Sequence, residues 1–234
     1  MSSNRTITGS DITLFLTAFG TKLAVHDSAV AYIDRKLSTK FNPLELLLPG
    51  EVGITALLRE LLDPNGTHGQ GPKFLLSFLK MLDLPTPSEP QDAKVFAEHY
   101  TRHASVIGRR IDLLVSYDDY AIAIENKLGA SDQKNQVRDY LEVVRAIGLT
   151  GAWVVYLTPN GAPPSEWSIS SQEFGAAEES IKLLAYTNDK GVNLVSWLRE
   201  CRQVCESQYV SGFLNSLEQY LTVRTQGMKF PHAI

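Results

Sequence analysis

Two neighbouring segments of the sequence combine apolar runs with ionisable residues. Residues 110–115 read Arg-Ile-Asp-Leu-Leu-Val, and residues 120–127 read Tyr-Ala-Ile-Ala-Ile-Glu-Asn-Lys. Such apolar runs predict buried strands, which avoid unpaired charge. Asp112, Glu125 and Lys127 break this rule, and breaks of this kind mark functional sites. Two carboxylates and an ammonium group at the end of a sheet suit a divalent metal ion and an attacking water, which predicts a nuclease centre.

The alternation of side chains along a strand places Glu125 and Lys127 on one face. Ala121 and Ala123 precede them on that face, and their small side chains leave room above it. Asp112 can face the same side if the strand register allows it. Hard oxygen ligands, with no His or Cys nearby, favour Mg²⁺ or Mn²⁺ over zinc. The alternative is a structural ion pair between Lys127 and one of the two carboxylates.

The elements that must position these residues form an α/β pattern. A turn at residues 117–119 would join the two strands into a hairpin, and further strands are predicted at residues 94–103, 151–157 and 182–186. This order predicts a central mixed β-sheet with helices on both faces. We expect a single domain over residues 1–234, with a helical N-terminal region (1–90), a core (91–187) and C-terminal helices (190–225). Helices are predicted from periodicity at about 10–37, 51–62, 74–82, 132–147, 191–204 and 208–224.

The composition is that of an ordinary globular protein. The chain has 234 residues, 44% of them hydrophobic, and a net charge of −4. That charge argues against a broad basic face but allows a small basic cleft. Cys201 and Cys205 form neither a disulfide framework nor a zinc ligand set. No segment reads as a signal peptide or approaches the ~20 apolar residues of a membrane helix, which predicts a cytoplasmic protein that does not enter a membrane.

The spacing of Asp112 and the run Glu125-Asn126-Lys127 resembles the PD-(D/E)XK nuclease superfamily. The resemblance implies a restriction-endonuclease-like core in which Asp112 and Glu125 bind Mg²⁺ or Mn²⁺. It also implies that Asn126 contributes its backbone carbonyl to the metal and that Lys127 completes the site. The sequence departs from the family pattern at Ile111, where the motif name has Pro.

The helix after Lys127 strengthens the resemblance. Gln136 and Tyr140 lie four residues apart on one helix face, and they are similar to the Q-x-x-x-Y element of the exonuclease-like branch, which helps to hold the nucleic acid. The alternative is a core-facing Tyr and a solvated Gln. Basic residues near the motifs could form a phosphate-binding rim, or else a solvated charged face; they are Arg102, His103, Arg109, Arg110, Lys134 and Arg138.

A further segment upstream looks like one bacterial subgroup of the superfamily. It begins at Pro49 and includes Leu-Leu-Asp-Pro-Asn-Gly-Thr-His-Gly-Gln-Gly at residues 61–71. The resemblance implies that Glu51 supports the metal or a second metal, whereas an acidic residue in the first turn of a helix also stabilises the helix dipole. His68 could contact phosphate or carry a proton, or could be a structural turn residue. Glu98 could add a carboxylate, or could pair with a neighbouring arginine.

The expected function is therefore a divalent-metal-dependent nuclease that hydrolyses phosphodiester bonds in nucleic acid, in DNA rather than RNA. By analogy alone, the resemblance suggests bacterial defence against foreign DNA. One alternative is a non-catalytic module that binds nucleic acid or a partner on the same fold. Another is a phosphoesterase acting on small nucleotides, although the chain lacks a Gly-rich phosphate cradle. A homo-oligomer or an accessory protein partner is left open.

Overall fold

The computed structural model describes residues 8–37, 42–47, 49–103, 106–188 and 191–226. The chain divides into two compact units, residues 1–42 and 43–234. Each unit is described by itself. That all 234 residues form one domain stays a prediction.

The first unit contains helix α1 (Gly9–Leu37). This helix is capped by Thr8. The backbone N–H of Asp11 donates to Thr8 Oγ1 at 3.3 Å, and the backbone N–H of Thr8 donates to Asp11 Oδ2 at 2.9 Å. This reciprocal pair is a capping box, in which a carboxylate in the first turn satisfies a donor that precedes the helix.

The second unit is built on a five-stranded mixed sheet, as far as the described residues show. The strands follow one another across the sheet in chain order. β1 and β2 pair antiparallel, as do β2 and β3, whereas β3, β4 and β5 run parallel. The strand bounds are β1 (Lys94–His103), β2 (Val106–Tyr117), β3 (Tyr120–Asn126), β4 (Gly151–Thr158) and β5 (Ile181–Ala185).

Helices cover both faces of this sheet. On one face Ile122 and Ile124 pack with the helices that precede and follow the sheet, and on the other Ala121 and Ala123 pack with the helix that connects β3 to β4. This alternation along β3 is the one predicted from the sequence. The helix bounds are α2 (Pro43–Leu47), α3 (Glu51–Leu62), α4 (Lys73–Met81), α5 (Gln136–Ile147), α6 (Ser171–Ala176), α7 (Leu194–Val204) and α8 (Gln208–Gln226).

Two predicted element bounds differ from the structure. Helix α5 begins at Gln136 rather than near Asp132 because the Asp132 carboxylate is engaged elsewhere: it accepts hydrogen bonds from Tyr156 Oη at 2.6 Å and from the Ser165 backbone N–H at 2.7 Å. The segment 162–180, for which periodicity predicts no helix, contains α6. This short helix begins with a capping box between Ser170 and Glu173.

Candidate active site

The site lies where the β2–β3 hairpin opens. The last paired residues of the two strands are Leu113 and Ile124. Beyond them the ladder stops, and the backbone N–H of Asn126 donates instead to Asp112 Oδ2 at 3.0 Å. The divergence of the two strands opens a pocket of about 360 Å³ that both Asp112 and Glu125 line.

The Glu125 carboxylate has two oxygens in different surroundings. Its Oε1 accepts hydrogen bonds from Lys127 Nζ at 2.8 Å and from Gln136 Nε2 at 2.7 Å. Its Oε2 is buried and has no hydrogen-bond partner among the residues that the structure describes. The residue is only 2% exposed. A buried carboxylate oxygen without a donor is costly, so this atom requires a positively charged or donating group that the described chain does not supply.

The surroundings of Asp112 also disfavour its charged form. Burial and the nearby Glu125 carboxylate raise the pKa of Asp112 to about 7, although the Asn126 N–H and the Lys127 charge act in the opposite direction. A cation bound in the pocket would stabilise the charged form of Asp112 and offset the repulsion between the two carboxylates.

Lys127 is held between the carboxylate pair and the loop that follows β3. Its ammonium group donates to Glu125 Oε1 at 2.8 Å and to the Ser131 carbonyl at 3.3 Å. The side chain is 7% exposed yet lines the pocket. An ammonium group carries three donors, so one N–H remains for a water or phosphate oxygen in the pocket.

Glu51 supports the same loop from the first turn of α3. Its Oε1 accepts hydrogen bonds from three successive backbone N–H groups, those of Leu128 at 2.8 Å, Gly129 at 2.9 Å and Ala130 at 2.9 Å. An oxygen with three donors is already satisfied, so it holds the loop rather than a metal ion. Glu51 also lines the pocket, as the sequence suggested.

The Asn126 side chain points away from the pocket into a buried polar network. Its Nδ2 donates to Thr55 Oγ1 at 2.9 Å and to the Glu51 carbonyl at 3.0 Å, and its Oδ1 accepts from Tyr186 Oη. Its backbone N–H faces Asp112. Because the N–H and C=O of one strand residue point to the same side, the Asn126 carbonyl is directed toward Asp112 as well. The side chain therefore fixes the backbone between the two motif residues.

Gln136 and Tyr140 lie behind the carboxylates. Gln136 is buried, and it bonds to Glu125 as described above. Tyr140 is fully buried and donates to the Arg110 carbonyl at 2.6 Å. Burial and the nearby carboxylates of Glu125 and Asp112 raise the pKa of Tyr140. Tyr140 does not face solvent and is placed to support the site rather than to contact a nucleic acid directly, whereas Gln136 lines the pocket.

His68 lies outside the pocket in the glycine-rich turn after α3. Its Nδ1 accepts from the Gln70 backbone N–H at 3.0 Å, and its Nε2 lies 3.0 Å from the Asp63 carbonyl. Its ring also packs on Phe74. The structure thus supports the alternative of a structural turn histidine. Gln70 in the same turn also has a structural role. Its Oε1 accepts a hydrogen bond from the Glu206 backbone N–H, which joins the turn to the loop between α7 and α8.

The arginines at the pocket mouth are already paired. Arg110 Nε lies 2.5 Å from Glu98 Oε2, and Arg109 Nε lies 2.7 Å from Asp139 Oδ2. Glu98, which sits opposite Asp112 on β1, has a left-handed backbone (φ 55°), a conformation that costs energy and is frequent at functional sites. The side chains of Arg102 and His103 lie outside the described part of the chain.

Lys134 is exposed beside an aromatic residue that the sequence reasoning missed. Its Nζ lies 5.5 Å from the centroid of the Trp167 ring. Trp167 is 59% exposed. Its backbone carbonyl accepts a hydrogen bond from the Asn135 N–H at 2.7 Å. Asn135 is close in sequence to Gln133, which lines the pocket. A tryptophan in a polar, proline-containing loop without apolar periodicity was the available sequence signal.

The residues present suit a divalent metal ion on the chemistry of their donors. Glu125 Oε2 lacks a partner among the described residues, Asp112 is a second carboxylate that lines the same pocket, and the Asn126 carbonyl, directed toward Asp112, would be a third oxygen. Within the described residues no group of three or more His, Cys, Asp or Glu side chains is arranged to hold a metal. Any such site therefore depends on the backbone carbonyl and on water as well as on the two carboxylates.

Comparison with known proteins assigns the chain to a family. The open hairpin with its two carboxylates and lysine is typical of a nuclease-type α/β protein. The chain belongs to the PD-(D/E)XK nuclease superfamily, whose family model matches residues 41–221. This confirms the resemblance seen in the motifs and the restriction-endonuclease-like α/β fold. The subgroup with the glycine-rich turn stays a prediction.

Other comparisons add little to this assignment. The comparison with curated proteins finds no match. Among solved structures, "Crystal Structure of Protein of Unknown Function AF1548" is similar with 9% identity and a TM-score of 0.28 over 67% of this chain and 99% of that one. Among the described residues, no helix is long and apolar enough to cross a membrane. The family indicates a nuclease-type function, and nucleases of this superfamily generally use divalent metals.

Proposed function

We propose that the protein is a divalent-metal-dependent nuclease that hydrolyses phosphodiester bonds in DNA. The observation that carries this proposal is the buried Glu125 Oε2, which has no hydrogen-bond partner in the described chain and belongs to a residue that lines the same pocket as Asp112. A metal ion would satisfy this oxygen and would neutralise both carboxylates.

The proposed ligands are Asp112, Glu125 and the backbone carbonyl of Asn126, with Mg²⁺ or Mn²⁺ as the ion. When bound, the ion would lower the pKa of a water and neutralise charge on a phosphate oxygen. Glu51 remains a candidate ligand only through its second oxygen, because Oε1 is engaged with the loop N–H groups.

The chain's own residues have distinct roles in this proposal. Lys127 donates to Glu125 Oε1, and its remaining N–H stabilises the negative charge that develops on the phosphate oxygens. Gln136 donates to Glu125 Oε1 and so leaves Oε2 as the oxygen available to the metal. Glu51 holds the loop that carries the Ser131 carbonyl beside Lys127.

Substrate contacts beyond the metal are proposed for the exposed residues at the pocket mouth. Lys134 offers a phosphate contact, and Arg110 offers another if the phosphate displaces Glu98. Trp167 offers a surface on which a base could stack. The choice of DNA over RNA and a role in defence against foreign DNA belong to the proposal and rest on the resemblance alone.

The proposal is tested by assaying the purified chain on linear, circular and single-stranded DNA and on RNA, with Mg²⁺, Mn²⁺ or EDTA. We expect cleavage that needs metal and falls by about 100-fold or more in Asp112→Ala and in Lys127→Ala. Titration calorimetry with Mn²⁺ should show a site in the parent chain that Asp112→Ala loses.

Matched controls are Asp92→Ala and Lys80→Ala, which remove exposed residues of the same types outside the pocket. Both should retain activity. Cleavage unaffected by Asp112→Ala and Lys127→Ala would reject the site. No cleavage with any metal or substrate, by protein with an intact circular dichroism spectrum, would favour the non-catalytic binding module.

A further inference from the structure

Helix α1 exposes a stripe of large apolar side chains. Ile12, Leu16, Phe19, Leu23 and Val30 are between 43% and 59% exposed. They are spaced alternately by four and three residues, apart from one polar position at His26. Phe15 flanks the stripe and stacks on Phe19 with ring centroids 6.2 Å apart. A contiguous apolar stripe of this size marks an interaction surface.

The spacing of this stripe is that of a coiled coil. With Ile12 at a heptad d position, the a positions are Leu16, Leu23, Val30 and Leu37, and the d positions continue through Phe19, His26 and Ile33. A straight α-helix drifts by about 20° per heptad relative to such a repeat, so a strict seven-residue repeat indicates a left-handed supercoil. The 29 residues of α1 span about four heptads, the length that a coiled coil needs.

The opposite face of α1 carries little charge and mixes polar and apolar side chains, with Leu14 72% and Val25 65% exposed. Thr17 and Thr21 lie there and Thr13 flanks the stripe at position e, and the hydroxyl of each donates to the carbonyl four residues earlier. Helices that lie on a membrane surface are rich in Lys and Arg on the polar face, whereas Lys22 is the only such residue in the sequence between positions 9 and 30. This face therefore argues against a lipid surface as the partner.

The charges that flank the stripe match a second copy of the same helix. Lys22 falls at position g and Asp27 at position e of the following heptad. In a parallel, in-register pair, position g of one helix faces position e of the next heptad of the other. Lys22 of each copy would then meet the partner's Asp27. In an antiparallel pair g faces g, so Lys22 would not meet the partner's Asp27.

We infer that α1 is a dimerisation helix, which forms a parallel two-stranded coiled coil with α1 of a second copy of this chain. His26 is the one polar position in the repeat, and a polar core position fixes the register of a coiled coil. The residues that line the nuclease pocket all fall between positions 51 and 136 of one chain, so the pocket does not need the dimer to be complete. The inference is therefore independent of the proposed catalytic function.

The mass of the full-length chain in solution, measured by size-exclusion chromatography with light scattering, tests this inference. We expect a particle of twice the 25.9 kDa chain mass. The double substitution Leu16→Glu/Leu23→Glu should halve the mass, since it places like charges in the core. Thr17→Glu/Thr21→Glu adds the same charge on the opposite face of the helix and should leave the dimer intact.

Charge exchange tests the parallel register. Lys22→Glu should weaken the dimer, and the added substitution Asp27→Lys should restore it. Failure of that rescue would overturn the parallel arrangement. A monomeric parent chain at all concentrations, or a dimer that is indifferent to Leu16→Glu/Leu23→Glu, would overturn the inference. A monomer that those substitutions destabilise would instead indicate that the stripe is covered within the same chain, and a monomer that binds phosphatidylserine vesicles would indicate a lipid surface.

Discussion

At the scale of single residues, the chemistry of the site depends on how two carboxylates are supplied with donors. Glu125 receives two donors on one oxygen and none from the described chain on the other. Asp112 receives one backbone N–H. Burial and the neighbouring Glu125 carboxylate both disfavour the charged form of Asp112. The raised pKa of Asp112 reflects this environment and can be measured.

The raised pKa of Asp112 gives the metal-free protein a defined pH dependence. This pKa is about 7 in the folded state against an ordinary value of 3.8. Between these values the folded state binds a proton that the unfolded state has released, so the free energy of unfolding should fall as the pH rises from about 4 to about 7. Urea denaturation across this range in EDTA should show the slope, and Asp112→Asn should flatten it.

The control for this pH prediction is Asp118→Asn. Hydrogen bonds from Ser88 lower the pKa of Asp118, so this carboxylate is ionised in both states above pH 5 and adds no slope there. The substitution should leave the decline intact. A decline that survives in Asp112→Asn would show that another group is responsible for it.

Gln136 is expected to act through Glu125 rather than by touching the substrate. Removal of its amide in Gln136→Ala takes one donor from Glu125 Oε1 and frees that carboxylate to turn. Loss of a residue that orients a metal ligand typically weakens metal binding by about 10- to 100-fold. We expect the apparent Kd for Mn²⁺ and the metal dependence of cleavage to rise together, with KM for the nucleic acid little changed.

A matched substitution for comparison is Gln219→Ala on the exposed face of α8, which should leave both quantities unchanged. A Gln136→Ala protein that binds Mn²⁺ normally but has a raised KM would contradict the orienting role. That result would favour the direct contact between Gln136 and the nucleic acid that the sequence motif suggested.

At the scale of elements, the site depends on a loop that is held by a residue far away in the sequence. Residues 128–130 follow β3, but their N–H groups are satisfied by Glu51, more than 70 positions earlier on α3. The same end of α3 is bonded to the Asn126 side chain through the Glu51 carbonyl. The first turn of α3 and the end of β3 therefore form one support under the proposed metal ligands.

Substitution of Glu51 tests this support. Glu51→Ala leaves three buried or loop N–H groups without their acceptor, so we expect faster hydrogen exchange at residues 128–130 and a loss of cleavage on the order of 10-fold or more. Glu51→Gln keeps an oxygen acceptor and should recover part of both. Exchange that is unchanged in Glu51→Ala would show that the loop is held by other contacts.

Most elements could be predicted from periodicity, and the exceptions have local causes. The alternation along β3 and the apolar stripe of α8 follow from sequence because each element has one buried face. The start of α5 cannot be predicted from periodicity, because Asp132 is held by Tyr156 and Ser165, which are distant in sequence. The short helix α6 escapes periodicity because it has no buried residue, and only its capping box marks it.

At the scale of the whole molecule, charge limits how the protein can bind a nucleic acid. The net charge is −4, and the arginines near the pocket are paired with carboxylates. Lys127, Lys134 and Arg110 are the cations that we propose for phosphate contacts. Binding should therefore be local and should depend only moderately on salt.

Salt titration makes this expectation quantitative. With about three phosphate contacts, the logarithm of the association constant for duplex DNA should fall against the logarithm of salt concentration with a slope of roughly −3. Lys134→Ala should make that slope shallower by about 1, whereas Lys80→Ala should not change it. Fluorescence anisotropy in EDTA, which prevents turnover, measures both. A slope several times steeper would indicate a broad basic surface that the described residues do not show.

The sequence by itself determined the superfamily and most of the order of strands and helices, and it predicted the site residues Asp112, Glu125 and Lys127, because local periodicity and motif spacing are properties of neighbouring residues. Only the tertiary structure decided what those residues face. It showed that Glu125 Oε2 lacks a partner, that Glu51 holds a loop, and that Tyr140 and His68 are enclosed. These are contacts between residues far apart in the chain, and hydrogen bonds of that kind depend on how the sheet opens and how the helices pack, which no local pattern encodes.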